Sequence, residues 1–209
     1  MTSSLPSTLI AAYDAARAAA ALYRVRDAGC LRIAGADRAD FIQRQTTNDV
    51  QRLAPDRALV TVLTSGTART LDVWRLLPEP DDPDAIGVIT LPGRAAATAS
   101  YLQGRIFFMD QVTVTDASDA YAQIELRGPD TPRVLAALGL DAPPGPGAIA
   151  AWDADGVPLH ALGLQRVIAQ GVLLLVPAAH ADAITTRLAD AGAATVSYTH
   201  LTLPTKRIV

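Results

Sequence analysis

The feature that most limits the fold is a series of short apolar runs separated by turn signals. Residues 58–64 read ALVTVLT, the turn pair Ser65-Gly66 follows, and RTLDVWRLL returns over 69–77. Two strands joined by so short a turn must run antiparallel, because a parallel return needs a crossover of a dozen or more residues. The pattern recurs in IGVITL, QVTVTD, VPLHALG and QRVIAQGVLLLV, with Asp155-Gly156 as a hairpin turn ahead of VPLHALG. Hairpin-linked strands predict an α+β chain with mostly antiparallel or mixed sheets, not a doubly wound parallel one.

Helices fall between these runs. Ser7 or Thr8 can cap a helix through LIAAYDAARAAAALYRV, since alanine, leucine and arginine favour helix and nothing interrupts them. DRADFIQRQ over 37–45, a stretch beginning near Pro92, and AHADAITTRLADAG over 179–192 read as further helices. Ile33 to Ile42 and Leu126 to Leu135 share one pattern: apolar strand end, Gly, any residue, Asp, three residues, apolar pair. In both, the aspartate (Asp37, Asp130) is expected to cap the helix that follows. The repeat divides the chain into two consecutive α+β units, 1–117 and 118–195, with a distinct tail over 196–209.

Composition excludes several classes. Half the residues are apolar, enough for a packed core. The N-terminal stretch carries acids and arginines among its apolar residues and no apolar run reaches eighteen, so a soluble, cytoplasmic protein without a membrane span is expected. A net charge of −3 with scattered arginines gives no basic stripe for nucleic acid. The single cysteine, Cys30, excludes an internal disulfide and a multi-cysteine metal site; it opens the apolar run CLRIAG and reads as a buried strand residue. His160, His180 and His200 are widely separated, and no metal site is expected.

No G-x-G-x-x-G, Walker loop, H-E-x-x-H or G-x-S-x-G occurs, and no catalytic residue can be assigned. The polar segment QRQTTND, Gln43 to Asp49, stands between a helix end and a hairpin. By composition it reads as a helix C-terminus and solvated loop; its amides, hydroxyls and carboxylate could equally line a heterocycle pocket. Asp72, a carboxylate inside the apolar strand TLDVWRLL, needs either a partner such as Arg69 or Arg75 or a functional role.

The stretches AAYDAARAAAALYRV, LRIAGADRADFIQRQTTNDVQRL, VLTSGTARTLDVWRLL, IELRGPD and GVLLLVPAAHADAITTRLADAGA together resemble the YgfZ/GcvT-like folate-binding family, which includes the aminomethyltransferase T protein of the glycine cleavage system. The resemblance covers most of Leu9 to Ala194 and implies a tetrahydrofolate site near Gln45, Thr47, Asn48, Asp49 and Asp72. Aminomethyltransferases carry a G-Y-T-G-E-x-G pattern and a paired D-D. Here the corresponding stretches are GLQRVIAQG, without a carboxylate, and TSGTARTLD, with one aspartate. These departures point to the YgfZ-like branch: a folate-binding accessory protein of iron–sulfur cluster assembly or repair, linked to tRNA modification, with iron–sulfur clients as partners. A folate-dependent one-carbon transferase of the T-protein type is the alternative. The K-G-C-Y-x-G-Q-E motif of the YgfZ-like branch is missing, and so is the family's third, β-rich domain. Val196 to Thr205, VSYTHLTLPT, resembles one reading frame of a transposase mosaic-end adaptor, and the chain's only lysine, Lys206, follows it. The tail is therefore expected to be a non-native replacement for the family's continuation, the alternative being a native edge strand.

Overall fold

Residues 85–89 and 171–176 are buried at every position, as strands covered on both faces require. The computed structural model describes residues 7–79, 82–164 and 171–196. The helices are α1 (Ser7–Ala18), α2 (Arg38–Gln45), α3 (Ala95–Gln103), α4 (Thr131–Ala136) and α5 (Ala181–Asp190). The strands run β1 (Ala21–Arg24), β2 (Cys30–Ala34), β3 (Leu59–Thr64), β4 (Thr70–Pro78), β5 (Ala85–Ile89), β6 (Thr113–Asp116), β7 (Tyr121–Arg127), β8 (Ile149–Asp153), β9 (Pro158–Leu164), β10 (Gly171–Pro177) and β11 (Ala194–Thr195). No helix among the described residues is long and apolar enough to cross a membrane.

Two sheets result. The first has the order β3-β4-β5-β2-β6 and is antiparallel throughout. The second has the order β11-β1-β7-β10-β9-β8, antiparallel except where β1 meets β11. Leu31 and Ile33 of β2 pack with Phe41, Ile42, Ala99 and Leu102 of α2 and α3 on the outer side of the first sheet. Leu22, Ile124, Leu126 and Leu174 pack with Val134, Leu135, Ile184 and Leu188 of α4 and α5 on the outer side of the second. The alternate residues Cys30, Leu77 and Ile89 meet Leu162, Leu164, Leu173 and Leu175 between the sheets. The α+β class with mostly antiparallel sheets is the expected one.

Three local expectations change. The first helix stops at Ala18, and Ala21–Arg24 is a strand paired with Ile124–Arg127. Propensity favours helix through these alanines, but Leu22 gains full burial against Ile124 and Leu126, and packing overrides a weak local preference. For the same reason β1, which the sequence groups with residues 1–117, belongs to the second sheet. Neither Asp37 nor Asp130 bonds its helix N-terminus through its side chain. Asp37 instead accepts from Gln111 N at 2.8 Å, and Asp130 faces Arg133. The helix expected near Pro92 begins at Ala95. The Asp155-Gly156 hairpin turn has φ of 58° and 86°, the paired left-handed geometry that favours these residue types. The strand expected over 165–170, and the tail from Ser197 onward with His200, lie outside the described residues.

Candidate functional site

The QTTND segment is positioned by the open edge of β3. Where α2 ends, Thr46 Oγ1 donates to Ile42 O at 3.1 Å and Thr46 bridges Leu63. Thr47 N then donates to Val62 O (3.1 Å), Asn48 N to Thr61 Oγ1 (3.0 Å) and Asn48 Nδ2 to Val60 O (2.6 Å). The Thr47 backbone N–H and the Asn48 side chain thus cover the unpaired carbonyls of an edge strand. Asp49 Oδ1 accepts from Gln51 N at 3.2 Å and starts a single helical turn, Val50–Arg52, while Gln43 Oε1 accepts from Val50 N at 2.7 Å. The Gln45 amide and the Thr47 hydroxyl make no side-chain hydrogen bond among the described residues, and Thr47, Asn48 and Asp49 are exposed.

Asp72 sits two strands in, opposite Leu63 on β4, and is fully buried. Its Oδ1 accepts from Val73 N (2.8 Å) and Leu91 N (3.1 Å), and its Oδ2 from Trp74 Nε1 (3.1 Å) and Thr98 Oγ1 (2.8 Å). Neither Arg69 nor Arg75 pairs with it; Arg75 lies one residue out of phase, on the opposite face of β4. Asp72 therefore ties β4 to the turn after β5 and to α3, and every acceptor position is taken. On the other face of the same hairpin, Val60 pairs with Arg75 and Val62 with Val73. Val60 is 52% exposed and Val62 and Val73 are half-buried, so this part of the inner face is a small apolar floor bordered by Arg75 that the second sheet leaves open.

One buried group was not singled out in the sequence. Glu125 on β7 is 2% exposed, accepts from Tyr23 OH and pairs with Arg127 Nη2 at 2.5 Å, while the Arg127 guanidinium lies 5.7 Å from the Tyr23 ring centre. The signal was present: in YAQIELR the polar residues 121, 123, 125 and 127 fall on alternate positions, hence on one face. That face is the one turned towards the first sheet, where Gln123 Nε2 donates to Gly29 O at 3.2 Å. Cys30, beside Gln123, has its thiol pushed up to about 11 by burial, so it is not a nucleophile at neutral pH.

Two cavities accompany these groups. One of about 140 Å³ opens between the sheets against Cys30, Leu77, Ile89 and His160; another of about 560 Å³ is walled by Arg17, Thr131 and the prolines near α4 and residue 145. Neither is lined by Gln45, Thr47, Asn48, Asp49 or Asp72. Among the described residues no three His, Cys, Asp or Glu side chains come together as a metal site.

A family profile described as the GCVT N-terminal domain matches residues 3–198. The chain belongs to that family. A probable aminomethyltransferase of Natronomonas pharaonis is 32% identical over 136 residues, covering 62% of this chain and 36% of the relative. The aminomethyltransferase of Oceanobacillus iheyensis is 26% identical over 126 residues, covering 59% of this chain and 33% of its own length. This GCVT N-terminal domain thus spans about a third of the length of the curated relatives it matches. Among solved structures, the glycine cleavage system aminomethyltransferase T of Bartonella henselae superposes with a TM-score of 0.73 at 19% identity, over 87% of this chain and 48% of that one. A chain of the heterotetrameric sarcosine oxidase of Corynebacterium sp. U-96 gives 0.60 at 19% identity, over 88% and 90%. Both likenesses establish the shared fold.

Proposed function

We propose that this GCVT N-terminal domain binds tetrahydrofolate, or a one-carbon derivative of it, and serves folate-dependent one-carbon transfer of the aminomethyltransferase type. The family match over residues 3–198, with aminomethyltransferases among the relatives, is the observation that carries the reading. The residues at the β3 edge suit a pterin. The Gln45 amide, the Thr47 hydroxyl, Asn48 Oδ1 and the second oxygen of Asp49 offer donors and acceptors beside the apolar floor of Val60, Val62 and Val73, the combination that orients a heterocycle. Asp72 fits as a positioning residue: its oxygens are occupied, and it fixes the start of β4 beneath that floor. When bound, the folate supplies the one-carbon acceptor; this chain's part is to hold and orient it.

A second reading, a folate-binding accessory protein of iron–sulfur cluster assembly or repair linked to tRNA modification, is favoured by the single aspartate in TSGTARTLD and by the missing carboxylate in GLQRVIAQG. Calorimetric titration with tetrahydrofolate and its 5-formyl form tests the common ground. Saturable binding that the Thr47→Val and Gln45→Ala variants weaken about tenfold supports it, and no saturable heat sinks it. Formation of methylene-tetrahydrofolate from an aminomethyl donor then separates the readings: turnover favours the transferase, and binding without turnover the accessory protein.

A further inference from the structure

The end of the first sheet that carries the β3–β4 turn is basic. Three connections meet there: residues 25–29 leading into β2, the turn over 65–69, and residues 90–94 after β5. Hydrogen bonds fix their spacing. Gly93 N donates to Asp27 O at 2.7 Å, and Arg94 Nη2 donates to Leu71 O at 2.9 Å, two residues past Arg69. Ser65 N donates to Arg69 O at 2.8 Å and Ser65 Oγ accepts from Arg69 N at 3.2 Å, so Arg69 closes the turn. Arg26, Arg69 and Arg94 are therefore neighbours on an ordered frame, and all three are exposed. None of them pairs with a carboxylate among the described residues, whereas seven other arginines do. Against these three arginines the connections carry one acid, Asp27, which leaves a net charge of +2 in a chain whose total is −3. Unpaired cations gathered in this way form a site for an anion with several charges.

Position selects the anion. Asn48, Thr47 and Thr46 lie beside Val60, Val62 and Leu63 in that order, so the candidate folate segment runs back towards the turn and brings Gln45 close to the end of β3. On β4 the floor residue Val73 is succeeded, towards the same turn, by Leu71, whose carbonyl Arg94 holds, and then by Arg69. At about 3.3 Å per strand residue, Arg69 is roughly 13 Å from Val73. A ligand with its ring system on the floor and an arm along the strand brings that arm to the three guanidiniums. Folates have such an arm, an aminobenzoyl group ending in glutamate. Further glutamates joined through the γ-carboxyl each add one negative charge.

We propose that Arg26, Arg69 and Arg94 bind the oligo-γ-glutamyl tail of the folate, so that this chain selects polyglutamylated over monoglutamylated forms. The proposal rests on the folate reading and adds the form of the ligand to it. Calorimetric titration of the 209-residue chain with tetrahydrofolate monoglutamate and pentaglutamate tests it. At low salt the pentaglutamate should bind about tenfold tighter, the sum of a few exposed charge pairs, and about 0.5 M salt should shrink the difference to threefold or less. The Arg26→Gln, Arg69→Gln double variant should bring the pentaglutamate close to the affinity of the monoglutamate. Its unfolding midpoint should stay unchanged, since neither side chain makes a hydrogen bond or ion pair among the described residues. A γ-linked pentaglutamate peptide without the pterin should bind about a hundredfold more weakly than the whole ligand, because only the tethered tail is held at high effective concentration. Equal affinity for the two folates overturns the proposal and leaves the folate reading standing. A preference that survives the double variant overturns it as well, and a free peptide that binds as tightly as the pentaglutamate assigns the patch to acidic peptides instead. No saturable binding of either folate removes the folate reading and this proposal with it.

Discussion

Replacing Asp72 with asparagine keeps the shape of the side chain and reverses the polarity of one of its two acceptor atoms. In the better orientation the amide oxygen keeps Val73 N and Leu91 N, and the new NH2 faces Trp74 Nε1 and Thr98 Oγ1. Thr98 can rotate to accept; the indole N–H cannot, and it is left buried without a partner. An unsatisfied buried donor costs about 1–3 kcal/mol, and loss of charge assistance in the remaining bonds brings the expected total to about 2–4 kcal/mol. That is a large part of the roughly 5–15 kcal/mol a domain has, though not all of it. Urea unfolding should show a lowered midpoint at unchanged slope. Thr98→Val alone should lower stability by about 1 kcal/mol, and the double variant should fall short of the sum because the two residues share a bond. A change in Asp72→Asn below about 0.5 kcal/mol, or strict additivity with Thr98→Val, would refute the view that four donors converge on this carboxylate.

The Cys30 thiol gives a pH signature. Its pKa is raised from 9.0 to about 11, so its contribution is complete below pH 9 and is lost as the unfolded chain ionises and the native one does not. At about 1.4 kcal/mol per unit, the stability difference between wild type and Cys30→Ala should shrink by about 2 kcal/mol from pH 8 to pH 10.5 in urea unfolding; a difference constant with pH would contradict the burial. Two glycines should respond oppositely to alanine. Gly163→Ala must push the 143–146 loop off β9 and should lower the melting temperature markedly, whereas Gly66→Ala, with nothing within 4 Å of its Cβ, should be neutral or slightly stabilising in the same thermal scan.

Most strands could be read from the sequence, because hairpin signals act over a few residues. The β3–β4 pair and the Asp155-Gly156 turn depend only on local alternation and on residues tolerant of positive φ. What could not be read depends on distant partners. Ala21–Arg24 carries helix-favouring residues, and its strand partner is Ile124–Arg127. Asp37 looks like a helix cap until Gln111 N, far along the chain, takes its carboxylate. Around the candidate site, QTTND was recognisable as unusual, but its role in covering the β3 edge follows only once β3 is known to be outermost. Glu125 was overlooked for a related reason: a glutamate in an alternating strand reads as solvent-facing unless a second sheet lies over it.

The placement of β1 has a consequence for synthesis. Arg24 pairs with Ile124, and Val25 N donates to Gln123 O at 2.8 Å, so the chain leaves the second sheet and rejoins it at adjacent points. Everything between, the whole first sheet with α2 and α3, is an excursion from one seam. Tyr23 leaves the ribosome 102 positions ahead of Glu125, its partner. At translation rates of about 5–20 residues per second, that is a wait of roughly 5–20 s. The first sheet, made of neighbours, can close within that interval, while Ala21–Arg24 remains an unclaimed strand edge on the nascent chain. A ribosome that stalls once Asp116 has emerged would therefore display a finished first sheet preceded by an unpaired strand, an exposed edge open to pairing with another chain.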